Sequence, residues 1–195
     1  MNHPLPKIYL VRHGQTEWAL AGRHTGRTDI PLTTIGETEA KSITERLGMR
    51  TFAKVLTSPS QRARRTAEIA GFGDAVVDDD LAEWDYGQYE GLKTAEIAAR
   101  QPAWNIFEHG APGGESAEQM TARASRVVAK VRAMAGDVLM FTSGHIGRCI
   151  GARWIGQPIT LGAGLLLSTA SVSILGYDHG LDEPAILQWN ETGRR

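Results

Sequence analysis

The run Ile8-Tyr9-Leu10-Val11 is apolar without interruption and breaks directly into Arg12-His13-Gly14-Gln15-Thr16-Glu17-Trp18. A short apolar run with a polar boundary is the sequence pattern of a strand buried on both faces. Such a strand carries whatever follows it to the rim of the sheet, and ligands of open α/β sheets bind at the carboxyl ends of strands. At that rim Arg12 presents a planar fork of donors suited to phosphate or carboxylate, and His13 a base or nucleophile near neutral pH. Gly14 lets the backbone come close to a ligand.

The same pattern recurs along the chain. Lys54-Val55-Leu56-Thr57 leads into Ser58-Pro59-Ser60-Gln61-Arg62, Ala75-Val76-Val77 leads across an acidic turn into Glu83, and Asp137 to Thr142 leads into Ser143-Gly144-His145. Helical signals separate these runs. Thr34 with Glu37 three places on reads as a capping box, with Ile35, Ala40, Ile43 and Leu47 on one face and a stop at Gly48. A second helix opens near Pro59 and runs to about Ala70, so Arg62 falls in a first turn, where free amides and the helix dipole favour an anion. Leu92 to Arg100 reads as a further helix. Ser116 to Gln119 is another capping box before a long helix reaching Met134, and His145 opens a helix through Ile146, Cys149, Ile150 and Trp154. The stretches 14–33 and 101–114 read as loops, the latter as a lid in which Trp104 and Phe107 either line a pocket or anchor the segment to the core. Ala170 to Leu175 and Ala185 to Trp189 alternate like edge strands, one of them antiparallel. Strands alternating with helices predict a three-layer α/β/α sandwich with a mostly parallel central sheet, as a single domain over 1–195.

With 42% apolar and 22% charged residues the chain has an ordinary globular composition, and its net charge of −1 gives no global attraction to nucleic acid or to an anionic membrane. The opening Met1 to Lys7 lacks a signal peptide's apolar segment and no run is long enough to span a bilayer, so a cytoplasmic location is expected. The single cysteine, Cys149, reads as a small buried hydrophobe. His24, His109 and His179 show no metal-ligand spacing, and neither a metal nor another cofactor is assigned. Arg64 and Arg65 read as exposed helix charges. A homodimer is compatible with the sequence.

Arg12, His13, Arg62, Glu83 and His145 all fall where strands end. Two guanidinium forks and a second imidazole around a nucleophilic imidazole suit a phosphoryl group, whose transfer asks mainly for positioning and positive charge. Arg12 and Arg62 oppose protonation of His13, which leaves its nitrogen free to attack. Glu83 is then placed to protonate the departing alkoxide and afterwards to deprotonate water, provided it first carries a proton.

Leu10 to Trp18, Thr25-Gly26-Arg27-Thr28-Asp29-Ile30-Pro31-Leu32, Ser58 to Ala63, Glu83 with Tyr86-Gly87, and Gly144-His145, in this order across almost the whole chain, resemble the histidine phosphatase superfamily, the phosphoglycerate-mutase-like group. The resemblance implies phosphorylation of His13, a phosphate pocket from Arg12, Arg62 and His145 with contributions from Thr25, Gly26 and Gly144, and Glu83 as proton donor. It also implies a metal-independent phosphatase acting on a small phosphorylated metabolite. The family's mutases carry Arg where this chain has Trp84, Asn where it has Ala19, and a longer basic insertion after the glutamate. Exchanging a guanidinium for an indole removes an anion clamp and is expected to add an apolar wall. The reading therefore favours a phosphatase over a cofactor-dependent phosphoglycerate mutase, with a non-catalytic phosphate-binding module as the rival of another class. Glu83 to Gly91 and Trp104-Asn105-Ile106 are similar to a sugar-bisphosphatase branch, which makes a phosphorylated sugar the expected substrate class.

Overall fold

The computed structural model describes residues 5–193, so the reading of Met1 to Pro4 lies outside the described residues. Alternation within β1 (Ile8–Arg12) builds the layers: Ile8 and Leu10 join one core, Tyr9 and Val11 the other. A central strand in a helix-covered sheet must be apolar on both sides, and this one is. On the first side α6 (Ala117–Arg132) and α7 (Gly144–Trp154) contribute Met120, Val127, Ile146 and Ile150. On the second, α2 (Thr34–Leu47) and α3 (Gln61–Ile69) contribute Ala40, Ile43, Leu47 and Ala67. The result is the expected three-layer α/β/α sandwich.

The sheet is completed by β2 (Lys54–Thr57), β3 (Val76–Val77), β4 (Val138–Thr142), β5 (Val172–Tyr177) and β6 (Pro184–Glu191), in the order β3-β2-β4-β1-β5-β6. β3, β2, β4 and β1 run parallel, while β5 is antiparallel to both β1 and β6. The parallel block therefore delivers the carboxyl ends of β1, β2, β3 and β4 to one edge. Three-residue-spaced capping opens α2 and α6 behind it, whereas α3 and α7 start without a side-chain cap. Ser116 and Gln119 exchange side-chain to backbone bonds of 3.2 and 2.8 Å at the start of α6, as read from sequence.

Several local expectations shift. The cap of α2 is Thr33, whose hydroxyl accepts from the Gly36 amide at 3.0 Å, and Glu37 instead pairs with Arg65 across the surface at 3.0 Å. The expected loop 14–33 contains a short helix, α1 (Glu17–Leu20), capped by Thr16. Before α6 the chain forms α4 (Thr94–Arg100) and then, inside the expected lid, α5 (Ile106–His109). Trp104, Ile106 and Phe107 there are buried in the first core, so these aromatics anchor the segment. Gly14 makes room for backbone, not for a ligand: a Cβ on it would lie 2.4 Å from the Gly36 carbonyl oxygen. Among the described residues no helix is long and apolar enough to cross a membrane.

Candidate active site

At the carboxyl edge of the parallel strands lies a small cavity of about 100 Å³, lined by Arg12, His13, Thr25, Glu83, Gly144 and His145 together with Arg23, His24, Tyr86 and Arg148. β1 ends in Arg12, and the His13 amide continues its ladder by donating to the Thr142 carbonyl at 2.9 Å. His13 is 4% exposed. Its Nδ1–H donates to the Gly14 carbonyl at 2.8 Å, which fixes the tautomer and leaves the lone pair on Nε2. Burial, then the charges of Arg62 and Arg12, hold His13 well below the usual histidine range, so it is neutral when the site is empty.

The two arginines are held differently. Arg62, in the first turn of α3, is fully buried and reaches the carbonyls of Thr28, Thr25 and Gly26 at 3.0, 3.1 and 3.1 Å. Arg12 donates from Nη1 to the Leu167 carbonyl at 2.5 Å. In both, Nε is buried with no hydrogen-bond partner among the described residues, and the Ser143 hydroxyl at the start of α7 shares this condition. Burial lowers the pKa of each guanidinium, against the upward pull of Glu83, but an arginine keeps its proton. Buried donors left unpaired are uncommon and call for a partner.

Glu83 follows a turn after β3 and lies at the amino end of α7. Its carboxylate accepts from the amides of Trp84, His145 and Ile146 at 2.8, 2.9 and 2.9 Å, the interaction that a helix N-terminus offers an acidic group. His145 is held from its other side by Tyr86, whose hydroxyl donates to Nδ1 at 2.5 Å and leaves the ring proton on Nε2. Burial raises the Tyr86 phenol well above its ordinary range, and burial with Arg148 depresses His145, so both are neutral. Phe107 packs on the His145 ring at 5.3 Å, and His24 stacks against Tyr86 at 4.7 Å.

The structure thus brings Arg12, His13, Glu83, Gly144 and His145 to one cavity, while Arg62 is fully buried outside its lining and acts on His13 and Glu83 through its charge. Thr25 lines the cavity, while the Gly26 amide is engaged by the Glu90 carboxylate at 2.9 Å and its carbonyl receives Arg62. A Cβ at Gly26 would fall 2.4 Å from the Trp84 carbonyl oxygen, so only glycine allows this crossing. Trp84 corrects one expectation: it is fully buried, donates to the Glu115 carbonyl at 2.9 Å and stands edge-on to Phe107, so it forms core and not a cavity wall. Sequence reasoning missed Arg148. It sits one helical turn after His145, with Nε on the Gly162 carbonyl at 2.6 Å and its guanidinium over Phe107, and the i,i+3 spacing was the available signal. Away from the cavity, Asp178, His179 and Glu183 bring possible ligand atoms within 4.8 Å of one another on the exposed β5–β6 turn, a grouping the sequence spacing did not reveal.

A profile of the Histidine phosphatase superfamily (branch 1) matches residues 8–192. The chain is 40% identical over 185 residues to an acid phosphatase of Mycobacterium tuberculosis, covering 93% of this chain and 91% of that one. It is 35% identical over 187 residues to sedoheptulose 1,7-bisphosphatase of Saccharomyces cerevisiae, covering 79% and 69%. Among solved structures, that of an open reading frame from Mycobacterium tuberculosis superimposes with a TM-score of 0.92 at 38% identity, over 97% of this chain and 99% of that one.

Proposed function

The chain belongs to branch 1 of the histidine phosphatase superfamily, and from that membership we propose that it is a metal-independent phosphatase that hydrolyses a small phosphate monoester through a phosphohistidine at His13. The single observation that carries the reading is the pair of unpaired, buried Nε–H groups of Arg12 and Arg62 beside a neutral His13. A phosphoryl group supplies the acceptors those donors lack.

In this mechanism the oxygens of the phosphoryl group lie between Arg12, Arg62 and the Nε2–H of His145, with Thr25 and Gly144 at the cavity wall. Gly26 acts through Arg62, which it helps to hold. The His13 Nε2 lone pair attacks phosphorus in line with the ester oxygen; the N–P bond forms as the P–O bond breaks. Glu83 carries a proton into this step. Glu83 gives this proton to the departing alkoxide. It then takes one from water as the water attacks phosphohistidine, releasing inorganic phosphate and restoring neutral His13. Tyr86 keeps the His145 ring oriented throughout.

The substrate class suggested by the relatives' names is a small phosphorylated metabolite, a sugar phosphate among them. The test is phosphate release from sugar phosphates, sugar bisphosphates, phosphoglycerates and phenyl phosphate with chelator present. Release by the wild type and none by His13→Ala is the expected result. Retained turnover in His13→Ala overturns the mechanism, and formation of 2-phosphoglycerate from 3-phosphoglycerate in place of hydrolysis moves the reading to a mutase.

A further inference from the structure

We propose that the Ser143 hydroxyl is a further catalytic group of this site, donating a hydrogen bond to an oxygen of the phosphoryl group as that group passes to and from His13. This rests on the reading of the cavity as a phosphoryl site. Ser143 is 1% exposed, and its Oγ is a buried polar atom with no hydrogen-bond partner among the described residues. A buried hydroxyl in that state costs stability and calls for an explanation.

The hydroxyl is free because another side chain has taken its usual place. Ser143 is the N-cap of α7, and serine in that position commonly accepts from the second or third amide of the first turn. Thr33 does this for α2 and Ser116 for α6, at 3.0 and 3.2 Å. In α7 the corresponding amides, those of His145 and Ile146, both donate to the Glu83 carboxylate at 2.9 Å. Glu83 thus caps the helix from a distant segment, and the serine at the cap position keeps a hydroxyl with nothing to bind.

That hydroxyl belongs beside the nucleophile. Val11 and Phe141 are register partners in the parallel pair of β1 and β4, and both fall in the core under α2 and α3. Side chains alternate along strands, and neighbouring strands lie about 4.8 Å apart. The pairing continues past β1, since the His13 amide donates to the Thr142 carbonyl at 2.9 Å, and Ser143 is still extended at φ −118° and ψ −180°. His13 and Ser143 are therefore the next side-by-side pair on that face. It is the face from which α3 presents Arg62, and from which Thr66 of α3 accepts the Gly14 amide at 3.0 Å. His13 lines the cavity, as does Gly144, the residue after Ser143. A hydroxyl here keeps its own proton and adds a directed bond to a phosphoryl oxygen without a further charge to desolvate.

The experiment compares wild type, Ser143→Ala and Ser143→Thr by three readouts: kcat/KM for phenyl phosphate, calorimetric binding of inorganic phosphate, and the urea unfolding midpoint. Loss of a hydrogen bond to a charged group should lower kcat/KM of Ser143→Ala about ten- to a hundredfold and weaken phosphate binding. Its unfolding midpoint should stay level or rise, because the deleted hydroxyl had no partner in the fold. Ser143→Thr, which keeps the hydroxyl, should recover most of the activity. Wild-type activity and affinity in Ser143→Ala overturn the proposal. So does a loss that Ser143→Thr fails to restore or that comes with a lower midpoint, since the role is then structural. If the wild type neither releases phosphate nor forms phosphohistidine, but binds inorganic phosphate and binds it more weakly as Ser143→Ala, the contact stands and the phosphatase reading fails.

Discussion

Arg12 and Arg62 at the cavity contrast with Arg123 on α6, a third enclosed arginine. Arg123 places Nε and Nη2 on the Glu115 carboxylate at 2.8 and 2.6 Å, and Nη1 on the Asp80 and Ala82 carbonyls at 2.9 and 2.6 Å. Its charge is answered within the fold. Among the described residues Arg12 and Arg62 have no carboxylate pair, and each keeps an unpaired Nε. Desolvating a charge without a partner is costly, and that cost, met twice, is the physical basis for the proposal that an anion arrives from outside. The saturated arginine is a structural tie; the unsaturated ones are the proposed phosphoryl site.

Breaking each side of this contrast should give different losses. Removing the cavity charge, Arg12→Met, should lower kcat/KM for phenyl phosphate by roughly 10²- to 10³-fold, the size of effect seen when one donor to a developing negative charge is deleted. Its unfolding midpoint in urea should fall little or rise, since an unpaired charge has gone. Arg123→Met should do the reverse, costing about 3 kcal/mol in the same urea titration because Glu115 is left without its partner. Equal stability losses in the two variants would erase the distinction.

A pH effect of intermediate size sharpens it further. His13 and His145 are held well below the histidine value of 6.5 by burial and nearby cations, and in the unfolded chain they titrate near 6.5. Below that pH the unfolded state binds protons that the native state refuses, so stability is fully present above about 6.5 and falls as the pH drops toward the depressed native values. Thermal unfolding followed from pH 7.5 to 5 should show this slope. It should be shallower in His145→Asn, and shallower in the wild type with inorganic phosphate, which offsets the arginine charges. The smallest effect concerns Cys149, whose thiol burial pushes up and which lies among apolar side chains. Iodoacetamide at pH 8 should leave it unlabelled in the native protein and label it after denaturation.

The parts of the site that ride on strand ends were legible in the sequence. An apolar run that stops at Arg12-His13 states both the strand and its rim, and the same logic located Arg62, Glu83 and His145. What stayed hidden depends on approach between distant segments. The Tyr86–His145 bond spans residues 59 apart in sequence, and Arg123 reaches back across more than 40 to the Asp80 and Ala82 carbonyls. Trp84 misled because its position beside Glu83 suggested the cavity, while the chain turns between them and sends the indole to the core. Similarly, Gly14 signalled close approach correctly, but the partner is the α2 backbone at Gly36, a relation no local pattern encodes.

The central claim is that the unpaired guanidinium groups hold a phosphoryl group in line with His13 Nε2. Its most direct test is to mix the protein with excess substrate, quench in alkaline denaturant to preserve phosphohistidine, and locate the phosphoryl group by mass spectrometry. One phosphoryl group on His13, formed at least a hundredfold more slowly in Arg12→Met, is the predicted result. Rapid phosphate release with His13 unmodified, or a phosphoryl group on any other residue, would contradict it.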